Sequence, residues 1–399
     1  MSSLENARVV LGVTGGIAAY KAVEVCRRLV DAGAHVVPVL TEGAEHFVGK
    51  TTFDALASEK VQQSLWDETS PIPHTTLGQS ADLIVVAPAT ARLLADYRIG
   101  RSDDLLTATL IATRAPVLVA PAMHTEMWEH PAVQDNLIVL RERGVHIVDP
   151  ESGRLAGGDI GHGRLAAPST IVAHAERVLS GGDLTGKHVV ITAGGTQEPI
   201  DPVRVISNRS TGKQGYALAE AAWARGADVT LISTADRDIA AGVSVVGVQT
   251  AAEMQDAVMK VRDADVIVMA AAVADFRPAD PASEKLKKDK GSVPEIELEK
   301  THDFLVELGE TKPEGQVLVG FAAETENVLD NARGKLERKN LDLIVANDVS
   351  APGAGFGYDT NEVAILFGTG DQLEVPLDSK RAIADAIFDA VVKVFEANP

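Results

Sequence analysis

Short, nearly unbroken apolar runs alternate along this chain with longer stretches whose apolar residues recur every three or four positions. RVVLGVTGG (8–16) runs into glycines, IAAYKAVEVCRRLVDAG (17–33) has helical spacing closed by Gly33, and AHVVPVLT (34–41) is apolar again. That is strand, helix, strand, and continuous apolar runs suit parallel strands covered on both faces. The patterns return about 180 residues later in KHVVITAGG (187–195), YALAEAAWARG (216–226) and ADVTLIST (227–234), so two similarly wound units follow one another. Further strand candidates are DLIVVAPAT (82–90), APVLVAPAM (115–123) and VHIVDP (145–150) in the first unit. DVIVMAAAVADF (265–276), QVLVGFAAET (316–325) and LDLIVANDVS (341–350) are their counterparts in the second. The glycine-punctuated polar bridge VLSGGDLTGKH (178–188) marks the predicted seam, giving domains 1–185 and 186–399. The predicted fold class is α/β, with two Rossmann-like parallel-sheet domains.

In open parallel sheets ligands collect at the carboxyl ends of the strands, and the residues just past these runs are unusually polar. After the first run come Gly12, Thr14, Gly15 and Gly16, leading through Ile17 into a helix whose free N–H groups would face a phosphate. The spacing is not G-x-G-x-x-G, and the second run ends in Leu40 and Thr41, with Glu42 one residue beyond the place of a ribose-binding acid. A monophosphate held by hydroxyls and amides suits this better than NAD, although the glycines would equally serve a tight turn. Three later segments sharpen the reading: APATARLLADYRIGRSDDLL (87–106), PAMHTEMW (121–128) and GRLAGGDIGHGRL (153–165), with His74 in PIPHTTLG ahead of them.

This set resembles the flavin-dependent cysteine decarboxylases, and within them the decarboxylase half of the bacterial bifunctional phosphopantothenoylcysteine decarboxylase/phosphopantothenate-cysteine ligases. The resemblance covers nearly the whole chain. It implies a flavodoxin-like flavoprotein domain in which FMN takes electrons from the substrate's cysteinyl thiol so that CO2 can depart. By the same resemblance His74 matches an essential histidine suited to proton traffic. Gly15, Ile17, Thr41, Thr90, Ser102 and Asp103 would contribute to the flavin pocket, and Met123 opens a segment touching substrate and flavin. Two departures stand out. His124 occupies the place of the family's asparagine, where an imidazole can still donate to a substrate carboxylate. In the glycine-rich flap, Leu155-Ala156-Gly157-Gly158-Asp159 has Gly157 where the family carries a proton-donating cysteine. The only cysteine, Cys26, lies among apolar residues of the first helix and reads as a core side chain. His162, five residues past Gly157, is the expected substitute donor, with a solvated loop histidine as the alternative.

In the second unit GGTQEPIDPVRVISNRSTGKQG (194–215) interposes some twenty residues between strand and helix, with Arg204, Asn208, Ser210 and Lys213 as donors and no apolar periodicity. It is not a P-loop, because Ser207 stands where the first glycine belongs and Gln214 follows Lys213. The stretch resembles the signature of the phosphopantothenate-cysteine ligases, which implies CTP-dependent activation of a carboxylate. Asn208 would then handle the acyl-cytidylate and Arg204 support it. The same resemblance points to Ala271, Asp275, His302, Asp303, Phe304, Leu305 and Phe321 for substrate and nucleotide. The basic runs EKLKKDK (284–290) and ARGKLERK (332–339) would bring Lys285, Lys335 and Lys339 to the phosphates. Mg2+ would bridge those phosphates, its protein ligands unknown.

Composition narrows the partners. With 37 basic against 57 acidic side chains among 399 residues the net charge is −20, which disfavours nucleic acid and anionic membrane surfaces. A single cysteine excludes an intrachain disulfide and fits a reducing compartment. No leader pattern and no run of 18 apolar residues are evident, so a cytoplasmic protein is predicted. The resemblance further implies a homo-oligomer, with a dodecamer as the expected form. A flavin-binding regulator, or a scaffold carrying only the ligase, remain alternatives for the first unit at this stage.

Overall fold

The computed structural model of the chain describes residues 3–66, 71–239, 242–286, 295–324, 326–350, 353, 355 and 357–397. They fall into two compact units, Met1–Gly181 and Gly182–Pro399.

In the first unit β1 (Arg8–Val13), β2 (His35–Leu40), β3 (Leu83–Ala89), β4 (Val117–Pro121) and β5 (His146–Ile147) make one parallel sheet in the order β2-β1-β3-β4-β5. Side chains alternate across a strand, and both faces of β1 are buried. Val9, Leu11 and Val13 pack with Ala22, Cys26 and Leu29 of the helix Ala19–Asp31 and with Ile171 and Ala175 of the helix Pro168–Leu179. Val10 packs on the other side with Leu94, Leu106 and Leu137 from the helices Ala91–Ile99, Leu105–Ala112 and Pro131–Glu142. Cys26 is therefore core, and burial pushes its thiol pKa up to about 11. The strand order reverses between β1 and β3, which opens a crevice at their carboxyl ends. The glycine-rich segment folds as an antiparallel hairpin, β6 (Glu151–Arg154) with β7 (Ile160–Arg164).

The second unit contains β8 (His188–Ala193), β9 (Gln197–Asp201), β10 (Arg204–Ser207), β11 (Asp228–Ser233), β12 (Val243–Gly247), β13 (Val266–Met269), β14 (Phe276–Pro278), β15 (Leu298–Lys300), β16 (Val317–Glu324), β17 (Leu343–Asp348), β18 (Thr360–Phe367) and β19 (Gln372–Ser379). The main sheet runs β12-β11-β8-β13-β16-β17-β18-β19. It is parallel as far as β17 and then turns antiparallel, an edge that the apolar runs do not predict. One face is covered by the helices Ala251–Met259, Phe304–Glu310 and Val328–Arg338. The helix Lys380–Ala397 buries Ile383, Ile387 and Val391 at a spacing of four, each contributing about 1.5–3 kcal/mol of transfer free energy.

The long 194–215 stretch is not irregular. β9 and β10 pair antiparallel with a register shift between Arg204 and Val205, and the following helix, Lys213–Ala224, starts past Gly212 at φ +77°. Among the described residues no helix is long and apolar enough to cross a membrane.

Candidate active sites

In the first unit the ends of β1, β2 and β3 surround a cavity of about 590 Å³, a size usual for small-molecule sites. Thr14 is buried and ties the strand ends together, its hydroxyl donating to the Pro88 carbonyl (2.7 Å) and accepting from the Thr90 N–H (3.2 Å). Thr90 caps the helix Ala91–Ile99 by accepting from the Leu93 N–H, which leaves other first-turn amides facing the cavity. Gly15 is required by close approach, because a Cβ there would lie 2.7 Å from the Gly43 carbonyl carbon. Gly15, Thr41, Thr90 and Asp103 line the cavity as expected from the sequence.

Ile17, Ser102, Met123 and His74 are not among its lining residues. Ile17 is 59 % exposed, Ser102 is exposed beside Asp103, and the Asp103 carboxylate accepts from Arg101 at 2.6 Å. His74 sits in the first turn of the helix Pro73–Ser80, its Nδ1 buried with no hydrogen-bond partner. Sequence reasoning missed Gly43, Arg92, Asp96 and Thr107 in the lining. Gly43 and Arg92 lie two positions past Thr41 and Thr90, so reading that much further along the chain would have found them.

The β6–β7 hairpin lies on the segment after β4. The Met123 N–H donates to the Gly163 carbonyl (2.9 Å) and the Thr125 hydroxyl to the His162 carbonyl (2.7 Å). Gly163, at φ +127°, has no room for a Cβ against the Met123 carbonyl oxygen. The side chain of His162 is exposed, and its backbone carbonyl makes the contact. His124 is the histidine beside the flap tip. Its Nδ1 bonds the Glu126 carboxylate, and its Nε2 lies 3.1 Å from Asp159 Oδ2. Hydrogen bonds to Glu126 and Asp159 raise the imidazole pKa above the ordinary histidine value. A Cβ built on Gly157 would stand 3.4 Å from His124 Nε2.

In the second unit a cavity of about 290 Å³ opens at the ends of β13, β16 and β17. Ala271 and Asp275, the run His302 to Leu305, Phe321, Lys335 and Lys339 all line it. Both lysines are held by carboxylates, Lys335 by Glu324 (2.6 Å) and Lys339 by Asp303 (2.7 Å), which fixes two cations on one wall. Asn208 is not itself among the lining residues; its side-chain amide donates to the carbonyls of Ala272 and Val273, which are, each at 3.2 Å. Arg204 and Lys285 are not among the lining residues. Arg204 donates to the Leu286 carbonyl (2.6 Å), and buried Asp201 accepts the Leu286 N–H (3.2 Å), so the β9–β10 hairpin grips the start of the basic run. Lys285 is exposed there, and 287–290 of that run lie outside the described residues. Lys380, Asn347 and Asn361 also line the cavity and had no distinguishing sequence signal. No group of three or more His, Cys, Asp or Glu able to hold a metal occurs among the described residues.

The Flavoprotein family matches residues 1–180, and the DNA/pantothenate metabolism flavoprotein C-terminal domain matches 184–395. A coenzyme A biosynthesis bifunctional protein CoaBC of Mycobacterium bovis (strain ATCC BAA-935 / AF2122/97) is 50 % identical over 402 residues, covering 96 % of each chain. The protein of that name from Bacillus subtilis (strain 168) is 49 % identical over 396 residues, covering 97 % of each. A crystal structure of the C-terminal domain of a CoaBC aligns at 39 % identity over 54 % of this chain and 99 % of that one, with a TM-score of 0.46.

Proposed function

The chain belongs to the family of coenzyme A biosynthesis bifunctional proteins, and we propose how each half performs its part. It is a bifunctional enzyme whose second unit is the phosphopantothenate-cysteine ligase and whose first unit is the phosphopantothenoylcysteine decarboxylase. The ligase product, 4'-phosphopantothenoylcysteine, is the decarboxylase substrate, and 4'-phosphopantetheine leaves.

For the ligase the nucleotide is CTP, and the observation that supports this reading is the Lys335–Lys339 wall of one cavity, whose lining residues Ala272 and Val273 are held by the Asn208 amide. A carboxylate does not accept an amine at neutral pH, so the acid first attacks the α-phosphate and pyrophosphate leaves; the amino group of cysteine then attacks the acyl carbon of the mixed anhydride, and CMP departs with the former carboxylate oxygen as the amide forms. Lys335 and Lys339 meet the charge that accumulates on the phosphates, each held in place by its own carboxylate. Asn208 holds the carbonyl-rich strand end and stands where the acyl-cytidylate forms. Arg204 acts at a distance by seating Leu286, which brings Lys285 toward the nucleotide. Mg2+ enters with the phosphates, in keeping with an ion that takes substrate oxygens and water as ligands.

For the decarboxylase the flavin is FMN. The first-unit cavity fits it: the Gly15–Gly43 approach makes a backbone cradle, and Thr41, Thr90 and helix amides form a donor set matched to a monophosphate. When bound, FMN supplies an acceptor for an electron pair from the thiol-bearing carbon and later returns it. Around that chemistry the chain's own residues handle protons and the carboxylate. His74 takes a proton at Nδ1, the buried nitrogen that has no partner. His124, and not His162, holds the proton at the flap, because its Nε2 is braced by Asp159 beside Gly157. His74 does not line its own chain's cavity, and Tyr20 and Trp66 are 62 % and 89 % exposed, which supports a homo-oligomer in which a second copy supplies the histidine.

Incubation with 4'-phosphopantothenate, cysteine and CTP, followed by mass analysis, tests the whole sequence. The expected products are pyrophosphate, CO2 and 4'-phosphopantetheine. Purification of a colourless protein that releases no pyrophosphate would overturn both halves.

A further inference from the structure

The second-unit cavity has a far end that the nucleotide reading does not use. It is lined by the first turn of the helix Lys213–Ala224 and by Gly355, Asn361 and Lys380. Lys380 is only 6 % exposed, and its ammonium donates to the carbonyls of Gly355 (3.1 Å) and Thr360 (3.2 Å). Among the described residues two of its three N–H groups are thereby used and no carboxylate pairs with it. Beside it are two amide oxygens without partners: Oδ1 of Asn361, a residue 4 % exposed, and Oε1 of Gln214, whose Nε2 donates to the Lys380 carbonyl at 3.1 Å. Lys213, the neighbouring cation, is already engaged by Asp359 at 2.6 Å. Buried polar atoms are normally satisfied, so a spare cationic donor beside two spare acceptors calls for a ligand carrying both signs.

We propose that this end of the cavity binds the amino-acid substrate of the ligase, the cysteine carboxylate meeting the free N–H of Lys380 and its amino group donating to Asn361 Oδ1 and Gln214 Oε1. The proposal rests on the ligase reading and adds to it the seat of the second substrate. A phosphate offers acceptors alone and would leave both amide oxygens unpaired, whereas an α-amino acid offers an anion and a donor on adjacent atoms. Burial, and then the nearby Lys213 charge, lower the Lys380 pKa, so an arriving carboxylate would offset an existing cost. The amine would be presented to the same cavity that the Lys335–Lys339 wall lines.

The test uses the full chain and separates the two half-reactions. Pyrophosphate release from CTP and 4'-phosphopantothenate without cysteine reports activation, and cysteine-dependent product reports capture. In Lys380→Met, activation should stay within about twofold while KM for cysteine rises roughly 10- to 100-fold, with partial rescue in Lys380→Arg. On the unmodified protein, cysteamine, which lacks the carboxylate, should need a concentration higher by a similar factor, so the proposal stays testable if the variants fold poorly. Equal use of cysteamine and cysteine would overturn it, as would a Lys380→Met variant whose defect lies in KM for 4'-phosphopantothenate, the mark of a phosphate seat. Absence of pyrophosphate release from the unmodified protein would instead overturn the ligase reading on which it stands.

Discussion

Gly15 and Gly43 abut at the wall of the first-unit cavity, yet the two sides of the contact are unequal. A Cβ on Gly15 would lie 2.7 Å from the Gly43 carbonyl carbon and 2.8 Å from its Cα and oxygen, all backbone atoms that no rotamer change can move. A Cβ on Gly43 would meet the Gly15 Cα at 3.3 Å and its nitrogen at 3.6 Å, which a shift of a few tenths of an ångström absorbs. Gly15→Ala must therefore push the loops after β1 and β2 apart by the better part of an ångström. Overpacking of that kind costs about 1–3 kcal/mol, which predicts flavin binding weaker by roughly 5- to 150-fold if the strain falls on the bound state. Gly43→Ala should change it by less than about threefold. The assay is titration of flavin-stripped protein with FMN, followed by flavin fluorescence. CTP-dependent pyrophosphate release by the second unit serves as the internal control for folding. Equal affinities for the two alanine variants, or a greater loss in Gly43→Ala, would refute the close-approach reasoning.

Asn208→Asp removes both donations to Ala272 and Val273 and, on the proposed ligase reading, adds an anion beside the activated acid. Ligation should fall by at least about 100-fold while added 4'-phosphopantothenoylcysteine is still decarboxylated; parallel loss of both activities would count against the assignment. Lys339→Met should raise KM for CTP by roughly tenfold, and Asp303→Asn, which releases Lys339, should do the same to a smaller degree; steady-state kinetics with CTP varied decides. The flap is expected to be pH-sensitive. Because the His124 pKa is raised, its charged bridge to Asp159 and Glu126 is intact below the unbraced histidine value and is lost as pH rises through the raised one. Opening of the β6–β7 hairpin, read as amide exchange corrected for its intrinsic pH dependence, should therefore increase as pH rises through that raised value, and His124→Asn should abolish the dependence while His162→Asn leaves it; a profile unchanged in His124→Asn would contradict the bridge.

The strands were legible where both faces of a strand are buried, as in β1, β3, β13 and β17, because burial on two sides writes a continuous apolar run. β9 and β10 escaped for different reasons: the buried positions of β9 are the acidic Glu198 and Asp201, which write no apolar run, and in β10 Val205 is 42 % exposed. β19 escaped as β10 did: it is the sheet's outer strand and most of its residues are exposed. Site residues followed a similar division. Thr90 and Ala271 come just past strands, so sequence position alone brings them to a carboxyl edge. The roles of Arg204 and Lys380 depend on partners far away in the chain, Leu286 for one and Gly355 and Gln214 for the other, and no local spacing records such pairings.

The two departures in the first unit illustrate what the fold adds. Read along the chain, a histidine at 124 and a glycine at 157 are separate changes in separate motifs, and the nearby His162 is the natural candidate for a lost proton donor. In space the hairpin register pairs His162 with Ser152 and brings the loop between β6 and β7 back over the segment after β4. A side chain at 157 would then begin 2.9 Å from Asp159 Oδ1 and 3.4 Å from His124 Nε2, inside the bridge that these two groups form. Gly157 is what gives the imidazole and its carboxylate room to meet. Gly157→Cys should therefore displace His124 from Asp159 as it introduces a thiol, returning the flap exchange profile toward that of His124→Asn; a bridge that kept its full pH dependence beside the new thiol would show that the two positions are independent after all.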